Sequence, residues 1–366
     1  MNFGVFAAPD RSLIFDINDF DETLPGPWEW DVKRLAASFE VVMRERGLDA
    51  AARRDAVSQV ARTYRESMVQ FAEQNTLDVW YARLDAAAIL GGLRAAGDTK
   101  DATRVAKGLE KAQWKNSLRA LDKLTVTVDG QPRIVSQPPL LVPAVELLHG
   151  EELMRFNDTI HEFLHSYAAS LPDDLRHLLE QFEFRQIARK VVGVGSVGMR
   201  AWIVLTLGRD AADPLFLQLK QAEASVMEPH VGRSRYRSHG RRVVEGQRLM
   251  QAASDVLLGW YRVHGFDGNL YDFYVRQLWD GKASLDPTTM PPSLFAPYAT
   301  TCAWTLARAH ARSGDRIAIA AYLGKSSVFD EAIADFSAAY AEQNERDYEQ
   351  LQAAVKSGRI SAETGV

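Results

Sequence analysis

A cluster of carboxylates near the start of the chain is the first feature that could do chemistry. The apolar segment 13–17 contains Asp16, and Asp19 and Asp21 follow within four residues. Carboxylates at the end of a buried strand suit a hard cation such as Mg²⁺, which prefers oxygen ligands and usually binds one or two carboxylates together with phosphate oxygens. An acidic turn that caps the next helix would use the same residues. The pattern alone does not separate these two interpretations.

A glycine-rich segment in the middle of the chain is the second candidate. The spacing G-x-G-x-x-G occurs at Gly193, Gly195 and Gly198, with Ser196 between the second and third glycines. Glycines at this spacing let a backbone approach phosphate oxygens closely. Strand-like sequence continues through Leu207, so a glycine-rich hairpin over a nucleotide fits better than the helix-opening turn of a Rossmann site. A bulged β-turn that binds nothing is the alternative.

A lysine follows at the end of another apolar strand. Lys220 ends the run 215–220, where a kinase-like lobe needs a lysine to hold the α and β phosphates. A later helix should then supply a carboxylate that orients this lysine, and we expect Glu245 to do so. A solvated lysine at a strand end is the alternative.

A possible zinc motif lies between these regions. His161, Glu162 and His165 match H-E-x-x-H on a predicted helix, which would place both histidines on one face, with Glu180 or Glu183 as a third ligand. The flanking sequence adds nothing to a zinc site, and short motifs match by chance. We therefore favour a surface histidine pair on an amphipathic helix.

Composition limits the class of protein. The 366 residues suffice for a large core and two domains or lobes. A net charge of −5 argues against a general binder of nucleic acids or acidic membranes. Cys302 is the only cysteine, which excludes an internal disulfide and fits a reducing cytosol. Because neither a membrane-spanning run nor a signal-peptide pattern is visible, we expect a cytoplasmic protein.

Periodicity predicts a mainly helical α+β protein. The predicted β elements are a hairpin over residues 3–20, a hairpin over 124–135, and strands over 191–207, 215–220 and 270–278. The predicted helical regions are 28–121, interrupted by turns, then 145–184, 243–260 and 297–366. We therefore expect three domains, namely a helical lobe with the N-terminal hairpin (1–184), a β-rich glycine-loop lobe (185–285) and C-terminal helices packing on the helical lobe (286–366).

The acidic segment resembles the phosphate site of aminoglycoside phosphotransferases and related protein-kinase-like enzymes. Those enzymes carry H-G-D-x-x-x-x-N, a hairpin, then I-D-[FW] and a downstream D-P-x-x-D-L-A. The resemblance implies that Asn2 and Asp19 bind metal ions, with Asp16 or Asp21 as helpers. Asp31 lies twelve residues after Asp19, where the structural aspartate of that pattern would stand.

The whole chain more closely resembles an uncharacterised bacterial family known as a domain of unknown function. Its members read G-D-x-H-x-x-N-F-G, F-D-x-N-D-F-D-E and G-P-x-E-W-D-x-K-R-L, and later V-V-G-V-G-S-V-G, L-F-L-Q-x-K-E-A, V-V-x-G-Q-R-x-M-Q and Y-x-R-Q-L. The chain carries these stretches at 2–4, 15–22, 26–35, 191–198, 215–222, 243–251 and 274–278. Gln221 stands where we expect the family's glutamate.

The chain departs in two ways from the families that it resembles. The G-D-x-H that precedes the asparagine is absent, so we expect an N-terminally truncated chain whose catalytic base would lie upstream of Met1. The metal aspartate also precedes the glycine loop by about 175 residues, whereas a protein kinase has the reverse order. If both assignments hold, the two lobes are permuted in sequence.

The resemblance thus implies a phosphotransferase that binds ATP and Mg²⁺ and acts on an unidentified acceptor, impaired here by the missing base. The glycine segment would cover the phosphates, and Lys220, oriented by Glu245, would pair with them. A non-catalytic nucleotide-binding pseudokinase or interaction protein is the alternative from another class. A zinc hydrolase is the remote one. We expect neither a nucleic-acid nor a membrane partner.

Overall fold

Strands occupy the parts of the sequence where apolar residues alternate or run together. The structure is a computed structural model that describes residues 2–113, 117–150, 160, 162–191, 198–265, 267–278, 281–283 and 285–362. Its strands are β1 (Phe3–Ala7), β2 (Leu13–Ile17), β3 (Leu84–Asp85), β4 (Thr125–Val128), β5 (Gln131–Ile134), β6 (Leu141–Pro143), β7 (Glu183–Lys190), β8 (Ala201–Leu207), β9 (Pro214–Ala222), β10 (Gly259–His264) and β11 (Leu270–Gln277).

Helices make up about half of the chain. They are α1 (Trp28–Glu45), α2 (Ala50–Glu73), α3 (Thr76–Tyr81), α4 (Ala86–Ala95), α5 (Thr99–Gln113), α6 (Ser117–Leu124), α7 (Ala144–Leu147), α8 (Asp173–Leu179), α9 (Glu228–Val231), α10 (His239–Met250), α11 (Pro292–Ser313), α12 (Arg316–Leu323) and α13 (Val328–Lys356), and residues 162–168 are also helical. Among the described residues, no helix combines the length and the apolar composition that crossing a bilayer requires. The predicted α+β class is confirmed.

The chain forms two compact units that alternate along the sequence. Asn2–Gly26 and Arg83–Ser284 form one unit, which holds the strands, and Pro27–Ala82 and Leu285–Val366 form the other, which is helical. The expected boundaries at 184 and 285 divide the chain differently. The hairpin β1–β2 groups with the sheet because Val5 and Ala283 exchange backbone hydrogen bonds and Gln251 donates to the Ile17 carbonyl.

The largest sheet of the strand-containing unit is antiparallel and has the order β10-β11-β9-β8-β7-β6. Consecutive strands β7, β8 and β9 are neighbours, whereas α10 lies in the chain between β9 and β10. Every residue of β9 is buried, which fits a strand near the middle of a sheet covered on both faces. Two smaller sheets are β1-β2-β3 and the hairpin β4–β5, so both predicted hairpins are confirmed.

The two faces of the large sheet differ in character. One face presents Leu217, Leu219 and Phe273 to an apolar core that includes Tyr167 and Leu171. On the other face, Phe216 packs with residues of α6 and β5. Side chains alternate along a strand, so Gln218 and Lys220 share the face of Phe216. The polar end of this second face is where the candidate site lies.

Two predicted helices are wrong in their extent. The helix predicted to reach Trp260 ends at Met250, because Gln251 is extended and the Ala252 N–H donates to the Asp16 carboxylate; strand β10 follows. The helical region predicted to reach Phe184 gives way to β7 at Glu183. Side-chain exposure alternates at the start of β7, which is the pattern of a strand.

The helical unit is held together by buried polar contacts as well as apolar ones. Arg65 of α2 makes a bidentate pair with Asp330 of α13, at 3.0 and 2.8 Å. His310 of α11 lies between the Tyr64 hydroxyl, at 2.8 Å from Nδ1, and the Asp31 carboxylate, at 3.2 Å from Nε2. Asp31 is therefore part of a hydrogen-bonded chain across three helices of this unit.

Close packing of α10 on β11 yields a prediction about stability. A Cβ atom on Gly240 would overlap the backbone carbonyl of Phe273, and the backbone cannot move aside as a side chain could. We expect Gly240→Ala to lower the free energy of unfolding by about 1–3 kcal/mol. Urea denaturation measures this change.

Gly108→Ala is the matched control, since Gly108 also lies in a helix but nothing stands within 4 Å of its added Cβ. Alanine has the higher helix propensity, so this variant should be neutral or up to about 1 kcal/mol more stable. Equal effects at the two glycines would contradict the packing described.

Candidate functional site

The acidic segment begins with a carboxylate that the protein itself uses. Asp16, in β2, is 1% exposed, and its two oxygens accept the backbone N–H groups of Ile17 and Ala252, both at 2.8 Å. A buried carboxylate that receives backbone hydrogen bonds is stabilised in its place. Asp16 therefore fixes the hairpin to the chain that leaves α10. Its position is that of an anchor more than of an open metal ligand.

Lys220 and Asp21 form the ion pair at the centre of the site. The ammonium of Lys220, on β9, contacts Asp21 Oδ2, and the two side chains are only 11% and 23% exposed. Tyr274, which is paired with Lys220 across β9 and β11, donates its hydroxyl to Asp21 Oδ1 at 2.7 Å. Burial raises the pKa of Tyr274 well above its usual value, so the hydroxyl stays protonated and can donate. Both oxygens of Asp21 are thus occupied.

A buried arginine of α10 holds the peptide that carries Asp21. Arg242 is 3% exposed and donates to the carbonyls of Thr23, Asp21 and Glu223, at 2.7, 2.8 and 2.9 Å. Burial lowers the pKa of this guanidinium, although the group remains charged because arginine does not deprotonate in proteins. The three carbonyls replace the water that a buried cation loses. Arg242 therefore joins the acidic segment to the end of β9.

Glu245 is not where the sequence placed it. Its carboxylate is 3.3 Å from the Arg241 guanidinium, one turn earlier in α10, while the partner of Lys220 is Asp21. The apolar and small residues that face the sheet are Gly240, Val243 and Val244. In a helix Glu245 lies beside this face and not on it, so the carboxylate that contacts Lys220 is that of Asp21 and not that of Glu245.

Asp19 and Asn2 remain open to solvent at the end of the hairpin. Both are exposed, and the Asn18 N–H donates to the Asn2 carbonyl at 3.0 Å, which brings the two segments together. An exposed carboxylate and an exposed amide are donors of the kind that Mg²⁺ accepts. No group of three or more His, Cys, Asp or Glu side chains that could hold a metal occurs in the part of the chain that the structure describes. A cation here would need ligand oxygens in addition to Asp19 and Asn2.

The other predicted residues are placed only in part. Gly193, Gly195 and Ser196 lie outside the described residues. Gly198 is described, in the turn that leads into β8, with a φ of +89° that favours glycine. For the zinc motif, His161 lies outside the described residues, and Glu162 and His165 are both exposed.

Three residues of the site were missed from the sequence as functional candidates. They are Tyr274, Arg242 and Arg276, which contacts Gln218 on the same face of the sheet. Tyr274 and Arg276 lie two apart in strand β11, so alternation places both on one face, and this signal was available. Arg242 gave no such signal, because a cationic residue in a basic stretch is more often solvated.

The site is thus a polar face of an antiparallel sheet in a mixed α+β unit, closed by an acidic segment. A family described as uncharacterized proteins conserved in bacteria (DUF2252) matches residues 1–354, and the chain belongs to this family. No curated protein and no solved structure matches the chain.

The Lys220–Asp21 pair generates a prediction for a double-mutant cycle. Lys220→Met and Asp21→Asn should each destabilise the protein, because each leaves a shielded partner without its counter-charge. The double variant should lose less than the sum, with a coupling energy of about 0.5–3 kcal/mol by urea denaturation.

Arg185 and Glu183, on β7 of the same sheet, provide the control pair. They are 2.9 Å apart but 39% and 71% exposed, and exposed ion pairs contribute little. A coupling energy at Lys220–Asp21 no larger than that of this pair would contradict a shielded interaction.

Anchoring of the first turn of α10 generates a pH prediction. Asp272 accepts hydrogen bonds from the Arg262 guanidinium, at 2.8 Å, and from the His239 N–H, at 3.1 Å. Burial, the largest influence, raises the pKa of Asp272, but hydrogen bonds and the charge of Arg262 outweigh it, and the net pKa is lowered. Because the pKa of Asp272 is lower in the folded state than in the unfolded state, the ionised side chain stabilises the fold at pH values above the unfolded-state pKa. This stabilisation is lost as the pH falls through the folded-state pKa.

Asp272→Asn should therefore cost most stability near pH 7, and the difference from the wild type should shrink as the pH falls below about 4. Thermal unfolding from pH 3 to 7 measures the difference. A difference that stays constant over this range would show that the charge of Asp272 is not what anchors α10.

Proposed function

We propose that this protein is a kinase-like phosphotransferase that binds Mg·ATP and transfers a phosphoryl group to a small molecule or a protein. The observation that carries the proposal is the contact between Lys220 and Asp21. It joins the strand lysine that the sequence assigns to phosphate binding with the acidic segment that it assigns to metal binding. The two residues are 199 positions apart in the chain.

The order of elements around Lys220 supports the same proposal. In protein kinases a glycine-rich loop covers the phosphates, the phosphate-binding lysine lies on the third strand, and the helix that orients it comes later in the chain. Here β7 and β8 flank the glycine-rich segment, Lys220 lies on β9, and α10 follows. The similarity concerns this sheet and helix only. A kinase helix supplies a glutamate that pairs with the lysine, whereas α10 supplies Arg242, which anchors the acidic segment that carries Asp21.

Each residue has a distinct part in the proposed reaction. Lys220 binds the α and β phosphates, and Asp21 holds its ammonium over the face of the sheet. Asp19 and Asn2 are the residues that would hold Mg²⁺, which supplies neutralisation of the charge on the β and γ phosphates. Phosphoryl transfer depends mostly on positioning and electrostatic stabilisation, so these binding residues account for a large share of the catalysis.

Calorimetric titration with Mg·ATP tests the proposal. Lys220→Ala and Asp19→Ala should each weaken binding about 10- to 100-fold, the effect of losing a contact to a charged group. Asp174→Ala is the control for Asp19→Ala, since Asp174 is also an exposed carboxylate of this unit but lies in α8. Its affinity should equal that of the wild type.

Unchanged affinity in both site variants, or no binding to the wild type, would refute the assignment. ADP formation in the presence of candidate acceptors then separates the two classes of function. Binding without any transfer would favour the non-catalytic, pseudokinase alternative.

A further inference from the structure

We propose that Arg276, held by Gln218, enables this site to bind a ligand that carries a chain of two or more phosphates. The inference rests on the proposed function and names the class of ligand that the site selects. Arg276 would contribute a second cation beside Lys220, so that two anionic groups of one ligand are bound at once.

The register of the sheet places the two cations near each other. Lys220 is opposite Tyr274, and Gln218 is opposite Arg276, in the antiparallel pair of β9 and β11. Lys220 and Arg276 are therefore diagonal neighbours on one face, where residues are about 7–8 Å apart and long side chains can converge. Two cations at this spacing suit a phosphate chain better than a single phosphate.

The contacts of Arg276 leave its terminal nitrogens free to bind a ligand. Its Nε donates to Gln218 Oε1 at 3.1 Å, and its guanidinium lies 5.9 Å from the centre of the Tyr274 ring. Within the described residues the Nη atoms have no hydrogen-bond partner, and they are not sealed from solvent. An arginine fixed through Nε presents both Nη groups in the fork that binds two phosphate oxygens.

Charge distinguishes Arg276 from its neighbour. Asp21 neutralises Lys220, but no carboxylate of the described residues lies within 4.0 Å of the half-buried Arg276. Its partners are a neutral amide and an aromatic ring. A partly buried cation without a counter-ion lowers its free energy by taking an anion as ligand. The positive charge that this face offers to a ligand thus comes mainly from Arg276.

The experiment compares Mg·ATP, inorganic tripolyphosphate and inorganic phosphate by calorimetry. We expect the wild type to bind Mg·ATP and tripolyphosphate, and Arg276→Gln to weaken both by about 10- to 100-fold. Inorganic phosphate should bind the wild type more weakly than tripolyphosphate does, because one phosphate cannot contact both cations, and equal affinity for the two would overturn the inference. Arg276→Lys keeps the charge but not the fork, so the affinity of this variant for Mg·ATP and tripolyphosphate should be intermediate.

Arg189→Gln is the control, because Arg189 is an exposed arginine on β7 of the same sheet. It should bind all three probes as the wild type does. If Arg276→Gln proves unstable by thermal unfolding, Arg276→Lys decides alone.

The outcomes separate this inference from the function on which it rests. If both Arg276 variants bind Mg·ATP and tripolyphosphate as tightly as the wild type does, Arg276 does not have the proposed role. The phosphotransferase proposal would then still stand. If tripolyphosphate binds in an Arg276-dependent manner but Mg·ATP does not bind, the inference is supported. The proposal that the protein uses a nucleotide is then refuted. A wild type that binds neither would overturn both.

Discussion

The hydrogen bonds of the buried Arg242 guanidinium fix the geometry of the candidate site. A buried cation is costly unless its donors are paired, and three backbone carbonyls accept from the two Nη atoms, while the buried Nε has no hydrogen-bond partner among the described residues. Two of these belong to the acidic segment, and the third belongs to Glu223, just beyond the end of β9. The backbone path that carries Asp19 and Asp21 is therefore set by α10 and not by the hairpin alone.

The close packing of α10 makes this anchoring possible. Gly240 lies against the backbone of Phe273, and a Cβ on Gly246 would overlap the side chain of Thr23. Larger residues at either position would move the helix away from β11 or from the acidic segment. The small residues bring the helix close, and Arg242 can then reach carbonyls on both sides. Packing and hydrogen bonding thus specify the same arrangement.

Much of this arrangement is local and could be predicted from the sequence. Short apolar runs bounded by turn residues predict the hairpin β1–β2 and the strand that contains Lys220, because both signals are local properties of the chain. The partner of Lys220 could not be predicted in the same way. The resemblance to kinases points to Glu245, because a kinase helix supplies a carboxylate, yet the direction of this side chain depends on which face of α10 meets the sheet.

That face is visible only in part from the sequence. Gly240, Val243, Val244 and Gln247 follow the i, i+3, i+4, i+7 spacing and are buried. This spacing excludes Glu245 from the packed face, but it says nothing of Asp21, which lies more than two hundred residues earlier. Contacts of this kind depend on the tertiary fold. The entropy cost of closing a loop rises only slowly with its length, so residues far apart in the chain can meet without any local sequence signal.

The reversed order of the acidic segment and the glycine-rich segment has the same explanation. A site requires that its groups meet in space, and the sheet and α10 bring Asp21 to Lys220 whichever comes first in the chain. The position of the acidic segment before the glycine-rich segment therefore argues neither for nor against phosphate chemistry. What distinguishes the face physically is its charge, since Asp21 compensates Lys220 while Gln218 and Tyr274, both neutral, surround Arg276. A carboxylate opposite Arg276 would stabilise the sheet more than the neutral amide of Gln218 does, and for this reason we infer that the counter-charge comes from a ligand.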